Sequence, residues 1–254
     1  MICSLYAICQ VLWTLQFVGE QPMDARHVTS DELGNVYYVY DRYIERHSTS
    51  GKPLFRTSEF ELGEVTSFDV TNPMKPFIFV QGTGKLVFFD NTLSRQSDEV
   101  DLFAKGYQQV ECVAGSRGDA YWLWDAYQME LIKVDGRFQK QSSSGNLAVL
   151  LGKELHPIQV LERDQSVYVL DPQVGVLVFD IYGTYRTTRA LNGGRAMEVS
   201  NEWLYVMSSN AVDRISADGF QWDTQRLHDT EYVDFTVVHD GIFLVTRNRW
   251  EHWK

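Results

Sequence analysis

The chain has 254 residues, 44% of them hydrophobic and 22% charged, enough for a sizeable core in one large all-β domain or two small ones. Thirty-four acidic residues against twenty-three basic ones give a net charge of −11 at pH 7, a balance that repels phosphate backbones and argues against nucleic acid as the main partner. The same balance offers no basic footprint for anionic lipid.

The first eighteen residues, Met1 to Val18, are mostly apolar and carry no charge before Glu20. They contain the apolar centre of a secretory signal without its usual basic start, so an atypical signal peptide is expected over residues 1–10, with a single domain over 11–254. Gln10, Thr14 and Gln16 make the stretch too polar, and it is too short, for a spanning helix. Ile8 stands before Cys9 where a lipoprotein signal has a small residue. With Cys3 and Cys9 in the leader, Cys112 is the one thiol left, inside the strand-like run Val110-Glu-Cys-Val-Ala114. It reads as a small buried hydrophobe.

From there a pattern returns about six times. A turn leads into an aromatic or β-branched run, a second run follows, and Asp, Asn or Gly ends it. Clear copies are Gly34-Asn-Val-Tyr-Tyr-Val-Tyr40, Gly118-Asp-Ala-Tyr-Trp-Leu-Trp124, Gln165-Ser-Val-Tyr-Val-Leu170, Glu202-Trp-Leu-Tyr-Val-Met207 and Gly241-Ile-Phe-Leu-Val-Thr246. Short apolar runs punctuated by turn residues are strands. Anchors for the second strand of each unit fall at Val36, Phe77, Ala120, Val167, Leu204 and Ile242, spaced by 41, 43, 47, 37 and 38 residues. Four-stranded propeller blades need about this length.

First strands are expected at His27–Thr29, Val65–Val70, Val110–Ala114, Ile158–Leu161, Met197–Val199 and Val233–Val238. Turns between third and fourth strands are expected at Thr49–Lys52, Asp90–Thr92, Asp135-Gly136, Ile181–Gly183 and Ala217–Gly219, where Asp-Gly and related pairs supply positive φ. The sixth unit ends with a third strand at Trp250–Trp253 and lacks a fourth. Leu12-Trp-Thr-Leu-Gln-Phe-Val18 has nothing else to pair with, and adding it to the last blade closes the ring and removes two open edges. The expected fold is an all-β, six-bladed β-propeller closed by its N-terminal strand, with leader cleavage near residues 7 to 11.

Gly63-Glu-Val-Thr-Ser-Phe-Asp-Val-Thr-Asn-Pro-Met-Lys-Pro76, Phe89-Asp-Asn-Thr-Leu93 and Leu177-Val-Phe-Asp-Ile-Tyr-Gly-Thr184 resemble an uncharacterised family of exported β-propeller proteins from Bacteroidota, over the chain from about Leu12 onward. More distantly the chain resembles six-bladed NHL-type propellers; it lacks the Gly-His and Trp-Asp pairs of a WD40 array. The resemblance implies a cell-envelope location, periplasmic or outer-membrane-associated, and no established catalytic residues. The leader departs from the family in having no basic residue.

The register of the first strands brings one polar residue per blade to a similar height: His27, Ser67, Glu111, Gln159, Glu198 and Asp234. Innermost strands surround the channel, so these are candidate lining residues. Glu111, Glu198 and Asp234 could hold a hard cation such as calcium through oxygen ligands, as lactone hydrolases of the six-bladed class do. The alternative is that they face water or pair with neighbouring backbone. The six histidines show no metal-ligand spacing, no Gly-x-Ser-x-Gly elbow occurs, and Gly82-Thr-Gly84 and Ser142–Gly145 read as a turn and a loop. Most aromatics should pack between blades. Trp250 and Trp253, flanked by Arg247, Arg249 and Lys254, form a candidate partner-binding patch. The function expected first is a non-enzymatic binding or assembly module of the envelope, docking a protein through a propeller face or channel mouth; the alternative is a metal-dependent, lactonase-like hydrolase at the channel.

Overall fold

The computed structural model describes residues 13–58, 64–96, 99–228, 231–239 and 241–254; the expected leader lies outside them. The chain forms six four-stranded antiparallel sheets. In five the strands follow in sequence order, and in the last the N-terminal strand lies beside the C-terminal one. The inner strands are His27–Ser30, Ser67–Asp69, Val110–Ser116, Gln159–Arg163, Ala196–Ser200 and Asp234–Val238. Each touches the inner strands of the two blades flanking it, which closes a six-bladed β-propeller numbered here from the blade of His27.

Every second-strand anchor lies in its second strand, at Val36–Val39, Phe77–Val80, Ala120–Asp125, Ser166–Asp171, Trp203–Met207 and Gly241–Val245. These strands read as continuous apolar runs because both faces are covered. Successive side chains point to opposite faces. In blade 3, Tyr121 and Leu123 pack on Phe77, Phe79, Leu86 and Phe88 of blade 2, while Trp122 and Trp124 pack on Val167, Val169, Leu177 and Phe179 of blade 4. The same alternation gives a hydrophobic cluster in each of the six interfaces. At about 25 cal/mol per Å² of apolar surface buried, these interfaces supply most of the drive to fold.

The turns between third and fourth strands fall where expected, by a different device. Positive φ sits on the fourth turn residue: Gly51, Leu93, Phe138, Gly183 and Gly219. In Asp135-Gly136 the glycine is therefore not the left-handed position. The first residue carries the turn instead: one carboxylate oxygen each of Asp90, Asp135 and Asp180 accepts from the amides two and four residues on. That is an Asx-type turn. Where the left-handed residue is bulky, as at Leu93 and Phe138, it is buried, and its burial offsets the backbone strain.

Ring closure is by the N-terminal strand, shifted from the expected Leu12–Val18. The strand is Phe17–Pro22, pairing antiparallel with Arg249–Trp253 from Phe17↔Trp253 to Pro22↔Arg249. Trp13 and Leu15 leave the sheet and pack on the cluster between blades 5 and 6. Trp13 meets Tyr205 edge-on at 5.9 Å, and the Arg214 guanidinium lies 4.7 Å from its ring. The apolar residues that suggested a strand are thus a packing tail, and the strand proper is mostly exposed. Pro22 is tolerated because this is an outer edge.

A chain beginning at Met23 loses the closing strand. Against a chain beginning at Trp13, it is expected to melt at least about 10 °C lower by calorimetry, since roughly five ladder hydrogen bonds at about 1 kcal/mol each are removed.

Candidate functional site

The six inner strands surround an axial cavity of about 180 Å³. His27, Ser67, Glu111, Gln159, Glu198 and Asp234 all line it. The structure brings these residues to one wall, and most of them are engaged there.

Inner strands of adjacent blades share no backbone ladder, so their channel-side amides and carbonyls need other partners. Side chains supply them at five of the six blade junctions. Asp234 Oδ2 accepts from Val28 N at 3.0 Å, and Glu198 Oε2 from Val237 N at 2.9 Å. Gln159 binds both the amide and the carbonyl of Met197, at 2.7 and 2.9 Å. Asp69 accepts from Gly115 N at 2.8 Å, and Cys112 Sγ donates to Pro157 O at 3.2 Å. Each link joins one blade to the next. Of the six lining candidates, Glu111 and Ser67 are the two for which the described residues show neither such a link nor an ion pair like that of His27 with Asp234, and Ser67 Oγ is buried without a partner.

The proposed metal ligands are accordingly not a ligand set. Glu198 also takes the Ser30 hydroxyl on Oε1, and Asp234 takes Phe235 N on Oδ1, so their oxygens face backbone. Among the described residues, no three His, Cys, Asp or Glu side chains are grouped to hold a metal ion. A calcium site wants six to eight convergent oxygens, and the residues present do not fit one.

The charge is handled instead by Arg163, at the far end of the blade 4 inner strand. Its Nη1 donates to Glu32 Oε1 of blade 1 at 2.9 Å. Blades 1 and 4 are opposite in the ring, so this ion pair spans the channel mouth on the side of the first hairpin of each blade. Arg163 is largely buried and Glu32 exposed. Burial raises the pKa values of Asp69 and Glu198, and the guanidinium charge offsets a small part of that rise. Two-residue periodicity carries this information: Asp69 follows Ser67, and Arg163 follows Gln159, on one strand face.

Burial dominates the titration of this wall. It pushes Glu198 up to about 7, against the lowering effect of Val237 N and Ser30, and it raises Asp69 and Glu111 as well. For His27 burial works downward, but the hydrogen bond and charge of Asp234, 3.5 Å away, outweigh it and leave the imidazole raised. Burial also pushes the Cys112 thiol up, which keeps it un-ionised.

The C-terminal patch does not form. Trp253 is buried in the cluster between blades 5 and 6, its Nε1 donating to Glu251. Trp250 packs edge-on to Phe243 at 4.9 Å. Arg249 pairs with Glu20 and Glu251, while Arg247 is exposed. Alternation along the last strand turns its tryptophans into the two blade interfaces. Exposed apolar side chains occur on both faces: at Tyr127, Val149, Leu150, Ile158 and Val233 on the side where the inner strands begin, Val149 and Leu150 in a short helix, and at Leu33, Met74, Tyr182 and Phe220 in turns on the other side.

No family model matches the chain, and no curated protein matches it. Solved structures do. A streptogramin B lyase aligns with a TM-score of 0.63 and 12% identity over 93% of this chain and 97% of that one. Virginiamycin B lyase from Staphylococcus aureus aligns with a TM-score of 0.59 and 11% identity, over 90% of this chain and 82% of its own. A catalytically inactive form of that enzyme, solved with quinupristin, gives 0.62 and 12% over the same shares. At these identities the likeness is one of fold: the chain is a six-bladed propeller.

Glu198 binds a proton more tightly folded than unfolded, so its contribution is full below about 4.5 and lost as pH rises through about 7. Between roughly pH 5 and pH 8 the wild type is expected to lose up to about 3 kcal/mol of stability relative to Glu198→Gln, read as a difference in Tm. The amide still accepts from Val237 N and still bonds Ser30. Added EDTA should leave both melting curves unchanged.

Proposed function

We propose that this chain is a non-enzymatic docking module of the cell envelope, exported as its apolar start suggests, and that it binds a partner protein on the face where the inner strands begin. The observation that carries this reading is the use of the channel's polar residues as blade-to-blade links. Glu198, Asp234 and Gln159 are committed to backbone, so a hydrolase built on them would have to break the scaffold to do chemistry. The choice of face rests on two features. Arg163 and Glu32 span the opposite mouth, and Ile158 and Val233 stand exposed at the rim of this one, 45% and 38% accessible. Apolar side chains around a concave opening suit protein docking.

The test uses cross-linking in envelope extracts. A single stoichiometric partner should be retained by the wild type and by Phe220→Glu, a change at an exposed turn between the third and fourth strands of blade 5, and lost from the double variant Ile158→Glu, Val233→Glu. Retention by all three would overturn the choice of face, and no partner at all would overturn the docking role. Because the solved neighbours include lyases, quinupristin offers a direct check on catalysis: a lyase can open a cyclic substrate without changing its mass, so the readout is chromatographic retention and fragment spectrum, both expected to be unchanged after incubation.

A further inference from the structure

We propose that the mouth of the channel rimmed by Ile158 and Val233 receives one lysine side chain of the docked partner, with Glu111 as the acceptor of its ammonium group. This deepens the docking reading above and rests on it.

Glu111 is the odd member of the wall. His27, Gln159, Glu198 and Asp234 are tied to backbone or to each other, whereas Glu111 lines the same cavity half-buried and the described residues give it no hydrogen bond. Burial already disfavours its ionised form, so a cation arriving there relieves a cost the fold carries. The neighbouring blade adds Ser67, whose hydroxyl is buried in this wall without a partner. A carboxylate and a hydroxyl on adjacent inner strands match an ammonium group, which has three donors and no acceptor.

The other charged groups of the channel are already engaged, Asp69 and Glu198 by the amides of Gly115 and Val237. His27 faces Asp234, and Arg163 meets Glu32 across the far mouth. The groups placed to compete for Glu111 are the His156 side chain, which lies near it and also within 3.8 Å of Glu154, and Arg195 on the rim, whose Nη1 points at Tyr232 O. Neither hydrogen-bonds Glu111 among the described contacts. Ile158 and Val233 are placed to pack on the methylene stem while the charged head reaches inward, the usual division of a lysine between apolar and polar surroundings. The net charge of −11 steers a basic segment toward the protein.

The experiment titrates the full chain by NMR with N-acetyl-lysine amide and, as a neutral probe with the same four-carbon stem, N-acetyl-norleucine amide. The lysine probe is expected to bind at least about tenfold more tightly, with Glu111→Gln abolishing the preference and Ser67→Ala reducing it a few-fold. Equal binding of the two probes, or a preference that survives Glu111→Gln, overturns the site. Should Glu111→Gln fail to fold, Glu111→Asp takes its place, and an undiminished preference in that variant overturns the site equally. Lost preference with partner capture intact sinks the amine site alone. A sound preference with no capture on this face sinks the docking reading instead.

Discussion

The inner edges of the six sheets pose the constraint on which the rest of this molecule depends. A blade pairs its strands internally, but its innermost strand faces a narrow channel with one row of backbone groups unpaired, and buried amides without partners are costly. Here side chains close that edge. Asp234 takes Val28 N, Glu198 takes Val237 N, Gln159 takes both groups of Met197, and Asp69 takes Gly115 N. Each such bond crosses from one blade to the next, so the atoms that satisfy the edge also hold the ring in register. The links add to the apolar clusters between blades, which are non-directional and would tolerate small slips.

This arrangement explains why the acids of the channel, among the described residues, form no group of three placed to hold a metal ion. A carboxylate that accepts a backbone amide has its lone pairs aimed along the wall, and turning it toward the axis would strand the amide. The excess negative charge is met by Arg163, whose long side chain reaches from blade 4 to Glu32 of blade 1. A guanidinium is weakly hydrated and always charged, which suits a nearly buried position between acids. Burial, the largest influence on Glu198 and Asp69, raises both, and the arginine partly offsets it.

How much of this could be read from the sequence follows from where each interaction lives. Blade length and second strands were legible because both are local: apolar runs over Val36, Phe77, Ala120, Val167, Leu204 and Ile242 need no knowledge of neighbours, and all six lie in second strands. The inward register of His27, Glu198 and Asp234 was legible too, since alternation fixes the side of a strand. Their partners were not, because Val28 lies 206 residues from Asp234 and the bond depends on how two blades meet. The closing strand was displaced for a similar reason. Trp13 and Leu15 are as apolar as a strand requires, but Tyr205 and Arg214 of another blade capture them. Trp250 and Trp253 looked exposed at a chain end and are turned inward by the pairing of that end with Phe17–Pro22.

The ring is not equally strong all round. The cluster between blades 6 and 1 has only Ala25, Val28, Val36, Tyr38 and Val245 as fully buried members, with larger residues half-buried around them. This is also the interface beside the closing strand, where Asp234 makes its link to Val28. Local opening should therefore begin there, where the least apolar surface is at stake. The proposed docking face reaches this seam: Val233 immediately precedes the blade 6 inner strand, and Ile158 stands two blades away. A partner seated across the mouth would contact both sides of the ring and bind only the closed form. At a hundredfold excess over its Kd that linkage alone adds about 2.7 kcal/mol, comparable to the loss of two or three of the blade-to-blade hydrogen bonds. On the proposed docking role, a ring that is thinnest under the docking face is firmest when that face is occupied.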